Sequence, residues 1–129
     1  MAADPTFAST PARAAAAVSA TADTARTGTP TTVITLITAG ANGTKIDSLV
    51  FEGIGSTLAG VVVVWVYDGA NYHAFYEEAV TVVTASTTVA AYRTERTFDN
   101  LWLKNGESLR LTSQVANQLI RVHAFGGDF

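Results

Sequence analysis

Two histidines and eleven carboxylates are the acid–base and metal-binding groups this chain offers. Along a strand, His73, Phe75 and Glu77 alternate onto one face, so an imidazole and a carboxylate could sit side by side. With His123 they would make a zinc-type ligand set. The closely spaced His-x-His pair that supports metal catalysis on β scaffolds is absent, and both histidines read as surface or rim residues. Glu77 and Glu78 could suggest the paired carboxylates of a glycoside hydrolase. As neighbours on a strand they point to opposite faces and cannot act together. No spacing pairs either with Asp47, Glu52, Glu95 or Asp99.

Nucleophilic and phosphate-binding chemistry fares no better. The segment "GIGST" at 53–57 lacks the G-x-S-x-G elbow, and no G-K-[ST] or helix follows its glycines. The triplet "NGT" at 42–44 is formally a glycosylation sequon but reads as a turn. There are no cysteines, which excludes disulfides, thiolate metal sites and a Cys nucleophile. No enzyme activity, no metal and no cofactor is expected.

The elements that would carry these residues are strands. "TTVITLITA" at 31–39 is rich in β-branched residues. Asn42-Gly43 signals a hairpin whose two central residues need positive φ. "KIDSLVFEGIGS" follows, then strand 61–67, the turn Asp68-Gly69-Ala70-Asn71, and strand 72–82. "STTVAAYRTE" and the short "NLWLK" read as two further strands. Asn105-Gly106 leads into "ESLRLTS", where Leu109 and Leu111 alternate with Arg110 and Thr112. In "NQLIRVHAF", Ile120, Val122 and Ala124 share one face, and Arg121 and His123 the other. About eight short antiparallel strands with turn signals every 8 to 12 residues predict an all-β domain. A jelly-roll-like β-sandwich is the first expectation and an immunoglobulin-like sandwich the second.

The sandwich is expected over residues 31–129, preceded by an N-terminal arm at 1–30. The arm is built from Ala, Thr, Ser, Pro and Gly, and its four charges, Asp4, Arg13, Asp23 and Arg26, cancel. Such a composition buries little apolar surface. "RAAAAVSA" fits either two helical turns or a loosely specified first strand. Residues 1 to about 13 are expected to be mobile until they lie on a neighbour. Asp4 stands where a secretory leader needs positive charge, so export through such a leader is not expected. The longest apolar run, Leu58 to Tyr67, is too short for a membrane-spanning helix. A net charge of −3 with no basic run argues against nucleic-acid binding.

The run around Trp65 carries a different kind of information. Val61, Val63, Trp65 and Tyr67 make one face of strand 61–67, and Val62, Val64 and Val66 the other. A sandwich strand normally turns one face to water. Two apolar faces require a cover: a loop, the arm, or another subunit. A subunit is the favoured cover, in a closed homotrimer. The interface candidates are Val62, Val64, Val66, Trp65, Tyr67, Tyr72 and Tyr76. The aromatics Trp65, Tyr67, Tyr72, Phe75 and Tyr76 could instead form a platform that stacks on sugars.

Four strings, "TARTGTPTTVITLITAGANGTKIDSLVFEG", "VYDGANYH", "LWLKNGESLRLTS" and the terminal "AFGGDF", occur in that order over about residues 24 to 129. Together they resemble a class of small structural proteins of tailed bacteriophages. The resemblance implies a jelly-roll-like module, most simply a capsid decoration (cement) protein bound as trimers to the outer shell. Its partners would be the major capsid protein and itself, on the virion surface, after assembly in the host cytoplasm. A tail or head fibre module that binds host-surface glycans is the alternative.

Overall fold

The computed structural model describes residues 10–129, and these contain eight strands and no helix. The strands are β1 (Thr10–Ala17), β2 (Ile34–Thr38), β3 (Thr44–Gly53), β4 (Gly60–Tyr67), β5 (Tyr72–Val80), β6 (Arg93–Leu103), β7 (Ser108–Ser113) and β8 (Ile120–Asp128). They form two four-stranded sheets, ordered β1-β8-β3-β6 and β2-β7-β4-β5, and every pairing is antiparallel. The chain is an all-β sandwich. Its pairings nest: β1 with β8, β2 with β7, β3 with β6, β4 with β5. One long hairpin, bent at the β4–β5 turn, is in effect wrapped over both sheets.

Period-two alternation explains the core. Ile46, Leu49, Phe51, Ile120, Val122 and Ala124 from the first sheet meet Leu36, Val62, Val64, Leu109 and Leu111 from the second. Each large side chain buried there contributes about 1.5–3 kcal/mol, set against the backbone entropy of ordering the chain.

Strand β1 settles the choice between helix and strand in "RAAAAVSA". Two isolated turns of helix are marginal in water even for alanine, whereas the free edge of β8 offers a ladder along all of Thr10–Ala17. Ala12, Ala14 and Ala16 pack on the core, and Arg13, Ala15 and Ala17 face outward. The segment expected to be an arm thus supplies an edge strand. Of the residues expected to be mobile, 1–9 lie outside the described residues.

Two expected strands became one. "NLWLK" is the end of β6, which begins at Arg93, while residues 86–92 form a loop. The hydroxyl of Ser86 accepts the N–H groups of Thr88 (3.2 Å) and Val89 (3.1 Å). This local bonding competes with a strand ladder and outweighs the β propensity of Thr and Val.

The turn at Asn42-Gly43 also differs from expectation. Gly43 and Gly106 have φ of 92° and 91°, but among the described residues the only non-glycine at positive φ is Asn117. Neither turn is a hairpin: β2–β3 and β6–β7 each pass from one sheet to the other. Only Asp68-Gly69 joins strands that pair, β4 and β5. Gly126 has a separate necessity. A Cβ there would lie 1.9 Å from the carbonyl oxygen of Lys45, so β3 and β8 approach closely only because the position is glycine.

Candidate functional site

Strand β4 lies inside the second sheet, between β7 and β5, and both of its faces are closed within a single chain. Val62 and Val64 point into the core and are fully buried, with Val66 packed against the same cluster. On the outer face Val63 and Trp65 are also 0% exposed. The cover comes from the β1–β2 connection. The Asp23 N–H donates to the carbonyl of Ser113 on β7 at 2.8 Å, and the Arg26 Nε donates to Glu77 on β5 at 3.0 Å. Glu77 is the register partner of Val63. A strap pinned on β7 and on β5 must cross β4 between them, at the level of Val63.

Asp23 organises this strap. One carboxylate oxygen accepts the N–H groups of Thr31 (2.6 Å) and Thr32 (3.0 Å), and the other accepts that of Ala25 (3.0 Å). Burial pushes the Asp23 pKa up, but the backbone donors of Thr32, Ala25 and Thr31 outweigh it and leave the carboxyl below its usual value. Farther along β4, the Trp65 Nε1 donates to the buried Thr112 hydroxyl at 2.9 Å, and Tyr72 closes over the indole edge-on at 6.2 Å.

The expected subunit contact is corrected for three of its candidates. Val62, Val64 and Trp65 have no surface left for a partner, because the sandwich and its strap already cover them. Val66, Tyr67, Tyr72 and Tyr76 keep part of their surface. Tyr67 and Tyr72 lie 4.4 Å apart, with the Arg110 guanidinium 4.6 Å over the Tyr67 ring. Tyr76 packs edge-on against Phe51 and Phe98 and donates its hydroxyl to Glu78 at 3.3 Å. With Trp65 buried and Tyr76 turned inward, the five aromatics do not present one flat stacking platform.

The histidines do not converge. His123 is on β8 in the first sheet and His73 on β5 in the second. The expected alignment of His73 with Glu77 fails because the β4–β5 ladder shifts between Val64 and Trp65, leaving Phe75 as an extra residue. Such a bulge reverses the facing of everything beyond it. His73 therefore pairs opposite inward-facing Val66, and Glu77 opposite outward-facing Val63.

Each imidazole instead meets one carboxylate. His73 lies 3.1 Å from Asp68, which also accepts the N–H groups of Asn71 (2.7 Å) and Ala70 (2.9 Å). Those backbone donors, with His73, hold the Asp68 pKa down to about 2. His123 lies 3.1 Å from Glu52, with Arg121 at 3.6 Å. The hydrogen bond from His123 is the main cause that keeps Glu52 below its usual pKa. No group of three His, Asp or Glu side chains placed to hold a metal occurs among the described residues.

The exposed surface concentrates elsewhere. Ile54, Leu58, Val82, Val89 and Leu119 are five of the seven large apolar side chains exposed among the described residues. All five lie in connections at the end of the sandwich where β3 leads to β4, β5 to β6 and β7 to β8. Sequence reading missed this group because it placed Leu58, Val82, Val89 and Leu119 in strands or apolar runs, whereas all five lie in connections. No protein family, curated protein or solved structure matches the chain.

Proposed function

We propose that this chain is a non-enzymatic structural protein of a tailed-phage virion, a decoration protein that binds the outer shell and bridges capsid subunits. The nested strand order carries the reading. Pairing β1 with β8, β2 with β7, β3 with β6 and β4 with β5 across two sheets fits the two-Greek-key jelly roll. That is the module implied by the resemblance of residues 24 to 129 to phage structural proteins. The use of charge also supports it. Asp23, Glu52, Asp68 and Glu78 each hold a loop, a turn or a neighbouring strand. Their job is to keep a thin sandwich rigid.

A rigid module of this kind acts mechanically. It buries surface on two neighbouring capsid subunits at once, and attachment at many sites multiplies contacts that are individually weak. Copy number in purified virions, read by quantitative mass spectrometry, tests the assignment. Hundreds of copies, with rebinding of the purified protein to shells stripped of it, are expected. A handful of copies together with binding on a glycan array would move the protein to the tail.

A further inference from the structure

The dipeptide Asn-Gly occurs at 42–43 and again at 105–106, and the two copies hold different places in their turns. This dipeptide is open to one reaction with itself. The backbone nitrogen of the glycine can attack the carbonyl carbon of the asparagine side chain, because the glycine carries no side chain to block the approach. In a folded chain the reaction depends on how free that nitrogen is.

At Asn42-Gly43 the nitrogen is committed. The Gly43 N–H donates to Gly40 O at 3.0 Å, so it is the bond that closes the turn 40–43. The Gly43 carbonyl accepts the Phe129 N–H at 3.2 Å, and the residue is buried. A Cβ on it would lie 2.9 Å from the Leu103 carbonyl oxygen. The Thr44 hydroxyl fixes the same turn, accepting the Gly40 N–H at 2.9 Å and donating to the Asp128 carboxylate.

At Asn105-Gly106 the dipeptide is shifted by one position. The Glu107 N–H donates to Lys104 O at 2.9 Å, and the Glu107 carboxylate accepts the Lys104 N–H at 2.6 Å. The turn 104–107 thus closes around Asn105 and Gly106 without using the peptide that joins them. With Asn105 at negative φ and Gly106 at 91°, this is a type II turn, whose central peptide takes no part in the closing bond. The Gly106 N–H has no acceptor among the described residues, and both residues are exposed. No atom lies within 4 Å of a Cβ built on Gly106.

We infer that Asn105 is a self-modification site, deamidating through a cyclic imide, while the fold protects Asn42. The Gly106 nitrogen gives up its proton and bonds to the Asn105 Cγ. The Cγ–Nδ2 bond breaks, and the side-chain nitrogen takes up that proton and leaves as ammonia. One water then opens the ring at either carbonyl, giving aspartate or isoaspartate. No oxidant, reductant or enzyme is required. Either product adds a carboxylate two residues from that of Glu107. The isoaspartyl form also routes the main chain through the side-chain carbon, which lengthens the crossing from β6 to β7 by one methylene.

Timed incubation of the purified, folded protein in mildly alkaline buffer, followed by peptide mapping, tests this independently of any role in a virion. Each conversion adds the mass difference between a hydroxyl and an amino group. In the folded chain Asn105 should convert at least about tenfold faster than Asn42, which reacts only after its turn opens. In concentrated urea, which removes both turns, the two rates should converge. Hydrogen exchange should agree, with the Gly106 amide exchanging early and that of Gly43 late. Gly106→Ala sets a methyl group beside the attacking nitrogen. It should slow conversion at Asn105 several-fold with an unchanged circular dichroism spectrum. Equal rates at the two sites in the folded chain, or the reverse order in either measurement, overturn the inference. So does an Asn105 that stays intact in the folded chain, or a Gly106→Ala variant that converts as fast as the unmodified one.

Discussion

Arg96 on β6 grips Glu78 on β5 with two parallel hydrogen bonds, Nε to Oε1 at 2.6 Å and Nη2 to Oε2 at 3.2 Å. The two residues belong to edge strands of different sheets, so the pair clasps the sandwich along its open side. Phe98 on β6 reinforces the seam, 5.5 Å from Phe75 and 5.6 Å from Tyr76. Bidentate geometry makes this stronger than an ordinary surface pair. The partners are unequal, however: the Glu78 side chain is 5% exposed and that of Arg96 is 47% exposed.

That inequality predicts an ordering of variants. Arg96→Ala leaves a buried carboxylate whose remaining donor among the described residues is the Tyr76 hydroxyl, the costly way to break a pair. Glu78→Met leaves a guanidinium that can turn to water. Urea midpoints should therefore fall further for Arg96→Ala than for Glu78→Met. Equal losses would mean that the clasp is a surface ion pair of little weight.

The strap makes a second prediction, centred on Asp23. Asp23→Ala removes the acceptor for three loop N–H groups and frees the cover over Val63. A loss of roughly 2–3 kcal/mol is expected, in the range for hydrogen bonds to a charged group. Trp65→Ala, beneath the same face, should cost about 3–5 kcal/mol, as large aromatic truncations in cores do. Val62→Asp and Val63→Asp should both unfold the chain, since each buries a charge without a partner. A folded Val63→Asp variant would show that the outer face of β4 is open to solvent.

Much of this architecture could be read from residue order, and the misreadings have physical causes. Alternation placed Ile120, Val122 and Ala124 inward correctly, because β8 follows strict period two over those residues. Gly43, Gly69 and Gly106 marked real turns. Their dipeptides report local backbone shape, not which sheet the next strand joins, so the hairpin expected at Asn42-Gly43 is a crossing between sheets, as is the turn at Asn105-Gly106. The doubly apolar β4 was legible as a strand needing cover. Its actual cover depends on Asp23 meeting Thr31 and Thr32, contacts set by tertiary folding rather than by any pattern in an Ala/Thr-rich stretch. The Phe75 bulge, which separates His73 from Glu77, has no signature of its own in "NYHAFYEE".

Gly126 supplies a third prediction. Gly126→Ala would drive a methyl group into Lys45 O on β3, and the obstacle is backbone, not a side chain that can swing aside. The variant should fail to accumulate as folded protein, or should melt far below the unmodified chain. Gly106→Ala makes the useful contrast. No atom lies within 4 Å of a Cβ there, and its cost is only that of a positive φ of 91°. That strain is of order 1–2 kcal/mol, so Gly106→Ala should remain folded.

The last prediction concerns acid. Asp23, Glu52 and Asp68 all have folded-state pKa values below their ordinary ones. In each case the native state favours the ionised form, so the unfolded chain binds protons more readily and stability falls as pH falls. The contribution is fully present above the unfolded values of about 4. It should be lost progressively as pH drops through the folded values, which for Asp68 reach about 2. Thermal melts recorded from neutral pH downward should stay level to about pH 5 and then decline. Asp23→Asn removes one of the three titrations, so its melting temperature should lie below that of the unmodified chain at neutral pH. The gap should narrow as the pH approaches the folded value of Asp23. A gap that stays constant across this range would mean that the strap draws nothing from the ionised form of Asp23.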